Sequence, residues 1–231
     1  QKQSLKTTST LVATKYRRKM REKSMIKQTL YPKTKRLDIE KNNIVITEKL
    51  DGSNLGIFRL GDNLIIAQRN NVFTWNSKET TLNKQVAYGG LICWLDENGV
   101  ELLEKLNDGS GLFGEWIGMG KIKYSDRINK RFYAFAKANI SFDGNNFSIT
   151  NLKYNYELFK YSFVEQNKPY FIGYVPIVDI VRYVPQKSDL DDIYNEYTEN
   201  IGDKVEGFIV VNNDDIRKYV RFKNGKLTDH F

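Results

Sequence analysis

The chain has 231 residues, 40% of them hydrophobic and 13% aromatic, which is enough for one large domain with a real core, or for a domain and a small appendage. A single cysteine, Cys93, and a single histidine, His230, exclude a disulfide framework and a Cys/His zinc cluster, and no apolar run approaches the ~20 residues of a membrane-spanning helix. The net charge of +8 is concentrated: residues 1–43 hold 13 Lys+Arg against 3 Asp+Glu, and the remainder is close to neutral, so the basic arm reads as an electrostatic footprint for a polyanion.

Residues 1–13 read as flexible and 14–28, with Arg17, Arg18, Lys19, Arg21 and Lys23, as a short basic helix. This Ser/Thr/Lys/Arg-rich, acid-poor start also has the composition of a mitochondrial transit segment, while the cysteine usage fits a reducing compartment such as the cytoplasm. Tyr31-Pro32 marks a break. From Ile44 the pattern predicts three consecutive antiparallel strands, 44–50, 54–60 and 64–69, the second turn being Gly61-Asp62-Asn63. A helix is predicted over 80–96 with Gly99 just past its end, Cys93 in its core face, and a second short helix over 100–107. A strand over 112–117 leads into a basic loop with Lys121, Lys123, Arg127, Lys130 and Arg131. A long strand, 132–142, turns at Asp143-Gly144-Asn145 and returns over 147–150. Residues 154–165 fit no period, 170–184 are mixed apolar, and Ser188 is predicted to cap an acidic helix through Asn195. Strands over 205–211 and 218–223 complete an α+β pattern of two antiparallel sheets with helices outside, divided into an arm, 1–43, and a domain, 44–231.

The heptad Glu48-Lys49-Leu50-Asp51-Gly52-Ser53-Asn54 carries the most chemistry. Alternation puts Val45, Thr47 and Lys49 on one strand face, so an amine projects from a rigid element, and Gly52 permits close backbone approach. That suits a lysine nucleophile. Phe113-Gly114-Glu115 ends an apolar strand in a carboxylate, Phe132 to Phe135 offers an aromatic surface for a base, and Val205 to Val210 sets Glu206 in an apolar run. In 219–223, Tyr219, Arg221 and Lys223 alternate with Val220 and Phe222, and two cations on one strand face call for an anion such as phosphate.

Taken in this order, the motifs resemble those of the covalent nucleotidyltransferases, the superfamily of DNA ligases, RNA ligases and mRNA capping enzymes, over roughly residues 44–224. Asn54, where DNA ligases and capping enzymes usually carry arginine, and Ala67-Gln68-Arg69 look like the RNA ligases that seal nicked duplex RNA. The resemblance implies a ligase adenylation domain, ATP-grasp-like, with the sheets around a nucleotide cleft, and with ATP and Mg2+ or Mn2+ as cofactors. It implies that Lys49 becomes adenylylated, Glu48 helps read adenine, Asp51 orients the amine, and Asn54 and Arg69 handle the AMP phosphate and an incoming 5′-phosphate. Glu115 would hold ribose, Phe135 stack on adenine, Glu206 bind the metal, and Arg221 and Lys223 contact the triphosphate, so that metal and cations surround the amine with positive charge. The implied partner is RNA with 5′-phosphate and 3′-hydroxyl ends, in the cytoplasm of a cell or of a phage's host, with a monomeric enzyme away from membranes.

The sequence departs from the family pattern in three places. Arg221 stands where the closing motif usually has its first lysine. Ala136 follows Phe135 where aspartate is common, which leaves the stacking residue open among Phe132, Tyr133 and Phe135. The given sequence also ends soon after Lys223, so either the arm shares in gripping nucleic acid or the sequence is part of a longer enzyme. The competing expectations are a compact ATP-dependent DNA ligase and a non-catalytic nucleic-acid-binding module on the same fold.

Overall fold

The computed structural model describes residues 25–26, 30–31, 44–77, 87–154, 171–212, 215–223 and 226–228. Most of the basic helix over 14–28, the first residues of the helix over 80–96, the stretch 155–165 and His230 lie outside the described residues.

Two largely antiparallel sheets face each other across a cleft. The strands in chain order are β1 (Met25–Ile26), β2 (Ile44–Lys49), β3 (Ser53–Leu60), β4 (Asn63–Gln68), β5 (Val72–Trp75), β6 (Ser110–Trp116), β7 (Phe132–Phe142), β8 (Phe147–Lys153), β9 (Ile172–Tyr174), β10 (Ile177–Val181), β11 (Gly207–Asn212), β12 (Asp215–Val220), β13 (Phe222–Lys223) and β14 (Lys226–Leu227). The large sheet runs β1-β5-β4-β3-β6-β7-β8, with β9 added in parallel to β7. The small sheet runs β10-β2-β11-β12, and β13 and β14 form a separate ribbon. Two helices, α1 (Leu91–Lys105) and α2 (Lys187–Ile201), are described.

β3 and β4 pair as the sequence predicts, through a turn in which Gly61 takes φ 59°. β2 does not join them. Its partners are β10 and β11, more than a hundred residues later, so the strand that ends at Lys49 belongs to the opposite sheet. Local alternation predicts a strand but does not name its neighbour, and the non-local pairing decided here. β1 extends the far edge of the large sheet, where Met25 and Ile26 pair with Phe73 and Val72.

Most strands of the large sheet are buried on both faces. On the outer face Leu55, Ile57, Leu64 and Ile66 pack under α1 with Trp94, Trp116, Phe132 and Phe171. On the inner face Phe58, Ile65, Phe113, Ala136 and Ile140 form a second cluster that Leu30 and Tyr31 help to cover. α1 is one continuous helix, not two, and it runs straight through Gly99. Gly99 is needed because a Cβ there would sit 2.4 Å from the ring of Trp75, so the glycine permits packing rather than ending the helix. Leu91, Trp94, Leu95 and Leu102 supply the buried stripe, and Cys93 falls off it and is exposed, contrary to its expected place in the core.

The small sheet packs Ile44, Ile46, Phe208, Val210 and Tyr219 against Leu190 and Tyr194 of α2. The N-cap of α2 lies two residues before the predicted one. Its N-cap is Gln186, whose backbone N–H donates to Asp189 Oδ2 (2.7 Å), and Ser188 lies inside the helix. Gly202, at φ 64°, ends it with a backbone N–H donated to Thr198 O (3.1 Å). The predicted final strand 218–223 is broken: the N–H groups of Arg221 and Phe222 both donate to Glu206 O (2.9 Å each), a bulge that resets the alternation after β12.

Candidate active site

The cleft between the inner faces is lined by Thr47, Lys49 and Ile209 from the small sheet, by Asn54, Glu115 and Phe135 from the large one, and at one end by Tyr31 and Tyr154. The cleft encloses a volume of about 130 Å3 and opens to solvent at its mouth. Thr47 and Lys49 reach it because they lie on the strand face opposite Ile44 and Ile46, as alternation predicts.

Lys49 Nζ donates to Glu206 Oε2. Glu206 precedes β11, and the pairing of Gly207 with Lys49 brings the two side chains together from positions far apart in sequence. Burial pushes the Glu206 carboxyl above its ordinary range, and Lys49 opposes the rise. Glu115 comes across the cleft on β6 and accepts a hydrogen bond from the Gly52 N–H (3.1 Å). Burial pushes Glu115 up to about 8, with Lys49 opposing and Glu206 adding to it. Among the described residues the side chain bonded to Lys49 is a carboxylate, and Arg221, expected in a ring of positive charge, pairs with Asp191 instead. The charged groups acting on this corner are Lys49, Glu206, Glu115 and Asp51, with Lys218 beyond Glu206. The sheet pairing places Glu206 directly beside the amine.

Of the three aromatics left open by the sequence, Phe135 is the one that lines the cleft. β7 carries a bulge opposite Phe113 and Gly114, so that Phe113 pairs with Ala136 and Gly114 with Ala134, and Phe135 is the extra residue. A bulge re-aims its side chain, and Phe135 lines the cleft, whereas Phe132 is buried under α1 and Tyr133 packs on Leu50 and Ile128. Tyr31 and Tyr154 complete this aromatic end. Tyr31 meets Phe135 edge-on at 5.6 Å, and the Tyr154 and Tyr31 hydroxyls are 2.7 Å apart. Tyr31 reads only as a break beside Pro32 in the sequence, and nothing local marks it as a cleft residue.

Three other expected site residues are committed elsewhere. Glu48 borders the cleft, but its carboxylate is fully buried and accepts from Arg127 Nη1 (2.6 Å), Arg127 Nη2 (3.1 Å) and Tyr197 Oη (3.0 Å). Asp51 does not hold the amine. Its Oδ2 accepts the backbone N–H groups of Lys121 (2.5 Å) and Ile122 (2.8 Å), and its own N–H donates to Tyr124 Oη (2.5 Å). Arg221 points to the α2 side of the small sheet, where it pairs with Asp191 (3.4 Å) and lies over Tyr194. The bulge at 221–222 interrupts the alternation that put it beside the cleft. Lys223 lies in β13. Arg69 falls just after β4 at the level of Asn54, and the Tyr88 hydroxyl bridges them, donating to Asn54 O (3.2 Å) and accepting from Arg69 N (3.0 Å). The residues that sequence reasoning missed, Tyr31, Tyr154, Tyr197 and the pairing role of Arg127, all act across long sequence separations.

Among the described residues no group of three metal-ligating side chains converges on a point. A divalent cation here would have Glu206 as its protein ligand, with phosphate oxygens and water for the rest, which is how Mg2+ is ordinarily held beside a nucleotide. The donor set therefore fits a metal that arrives with a phosphorylated substrate.

A model of the family described as RNA ligase matches residues 42–224. No curated protein matches the chain. Among solved structures, the chain is similar to an RNA ligase of Naegleria gruberi, in a lysine-to-alanine mutant with ATP and Mn, at a TM-score of 0.50 and 22% identity, over 78% of this chain and 49% of that one. A second lysine-to-alanine mutant of that ligase, also with ATP and Mn, gives 0.49 and 21%, over 84% and 58%. The same ligase with PPi gives 0.47 and 18%, over 85% and 59%. This chain thus spans about half the length of the solved ligase, and the likeness is one of fold: two sheets, with helices on their outer faces. With the family matched across nearly the whole of both sheets, this chain belongs to the RNA ligase family.

Proposed function

We propose that the chain is the nucleotidyltransferase domain of an ATP-dependent RNA ligase, which forms a lysyl-AMP on Lys49 and then joins a 5′-phosphate to a 3′-hydroxyl of RNA. The observation that carries the reading is that Lys49 lines a cleft together with Glu115 and an aromatic end, with its amine bonded to the part-buried Glu206. Phe135, with Tyr31 and Tyr154, would hold the adenine, since aromatic faces stack on bases at about 1–3 kcal/mol each. Glu115, its proton affinity raised to about 8, would carry a hydrogen at neutral pH and donate it to a ribose hydroxyl. Asn54 and Arg69, joined through Tyr88, would meet the phosphates at the mouth. A divalent cation on Glu206 would supply charge neutralisation of the triphosphate.

In the first step Lys49 gives up a proton to water, and its free amine attacks the α-phosphorus of ATP in line. An N–P bond forms, the P–O bond to the β-phosphate breaks with its electrons going to pyrophosphate, and the second amine proton leaves with that group. AMP then passes to an RNA 5′-phosphate, and a 3′-hydroxyl displaces AMP to make the phosphodiester. The natural substrate in this reading is nicked or broken RNA, and the site of action is the cytoplasm. Incubation with α-labelled ATP and a divalent metal tests the proposal. The wild-type chain should gain the mass of one AMP, and Lys49→Ala should gain none while melting within a few degrees of wild type. Label retained on Lys49→Ala would refute the assignment.

A further inference from the structure

The segment between β6 and β7, residues 117–131, has no helix or strand, yet it is fixed at many points. Ordered loops of this length in a compact domain are usually functional. Its anchors are concentrated on the residues that flank the nucleophile. Asp51 holds the backbone of Lys121 and Ile122 and donates its own N–H to Tyr124. Arg127 is forked onto Glu48, and Ser125 donates its N–H and hydroxyl to Asp203 (3.2 and 2.8 Å), three residues before Glu206. Ile128 packs on Leu50, and Ile117 N–H donates to Arg131 O (2.8 Å) to close the base. A loop seated on residues 48, 50 and 51 is held rigidly against the two ends of the Lys49 position.

What the loop turns outward is basic. Lys121, Lys123 and Arg131 are exposed, Arg131 lying over the Trp116 ring, against one exposed acid, Asp126, and Arg127 pairs with Glu48 and Asp203. The cations are spaced along the loop rather than converging, which suits a chain of phosphates better than one compact anion. We propose that this loop is the contact surface for the phosphodiester backbone of the RNA strand presented to Lys49. The proposal rests on the RNA ligase reading for its partner, and it assigns to a single rigid loop the task of registering that strand against the nucleophile.

The test is binding by the full chain. A fluorescein-labelled, 5′-phosphorylated RNA of about 20 nucleotides is titrated by anisotropy at salt from about 50 to 200 mM, where phosphate contacts show as a slope in log K against log salt. Lys121→Ala/Lys123→Ala should weaken binding about tenfold and reduce the slope by about 1.4, or about 0.7 per lost contact to a single strand, while AMP incorporation stays at the wild-type level. Lys137→Ala/Lys153→Ala, two lysines in the groove at the C-terminal end of α1, removes equal charge elsewhere and should change binding less than twofold. Wild-type affinity and slope in the loop variant would overturn the proposal, and so would an equal loss in the control or an absence of salt-sensitive RNA binding by the parent chain. Failure of the parent to take AMP would defeat the RNA ligase reading, and the binding comparison would still report on the loop.

Discussion

The two sheets share one cleft but differ in what they bury on their outer faces. Behind the large sheet lie Trp94, Trp116, Phe132 and Phe171, three of them fitted edge to face around Trp94 or packed against it. Behind the small sheet the apolar cluster is interrupted by charge: Glu48 under Arg127 and Tyr197, and Asp191 shared by Tyr219 and Arg221. The aromatic layer is held by area and shape, the charged one by pairing that must be complete. The nucleophile stands on the charged side. The strand that presents Lys49 to the cleft is thus fixed from behind by an ion pair one residue away, and the strand that presents Glu115 is fixed by packing.

Breaking the charged side should have the largest effect on stability. Arg127→Met leaves Glu48 buried without its cation and should cost about 3–5 kcal/mol in denaturant unfolding, whereas adding Glu48→Gln to the same chain should recover most of the loss. A cost below about 1 kcal/mol for the single change would mean that the pair is not what fixes this face. The packed side is probed by Gly99→Ala. Alanine is the better helix former by about 1 kcal/mol, yet its Cβ would meet the Trp75 ring at 2.4 Å. Overpacking of about 1–3 kcal/mol should win, so the variant should melt lower, and a higher melting temperature would show that the ring yields easily.

A third test concerns the cleft itself. Glu115 is raised from 4.5 in the unfolded chain to about 8 in the folded one, so the folded state binds the extra proton. Its contribution is fully present below about pH 4.5 and is lost as pH rises through 8, which means that wild-type stability should fall across this window. Glu115→Gln should flatten that dependence in melts at several pH values. An unchanged slope would place the Glu115 carboxylate in better contact with water than the cleft geometry gives it.

How much of this was legible beforehand depends on the range of the interaction. The strands, the turn at Gly61, the long β7 and the order of the motifs follow from alternation and turn residues, and both were readable within a few positions. The amine on the cleft face of β2 was readable for the same reason: its face is set by the residues two and four before it. Readings that needed a partner did worse. α1 was split at Gly99 because a glycine looks like an ending until Trp75 is seen against it. Arg221 was placed in the cleft by extending a period through a bulge that the sequence does not mark.

The sequence by itself determined the kinds of element, the basic arm and the set of chemical groups from which a nucleotidyltransferase site is built, since periodicity and composition are local properties of the chain. Only the tertiary structure decided which strands became neighbours, that the Glu48 and Asp51 side chains hold a loop, that Phe135 is the aromatic turned inward, and that Glu206 stands beside Lys49. These depend on hydrogen bonds and ion pairs between residues tens to more than a hundred positions apart, where a side chain's role is set by what the fold brings to it.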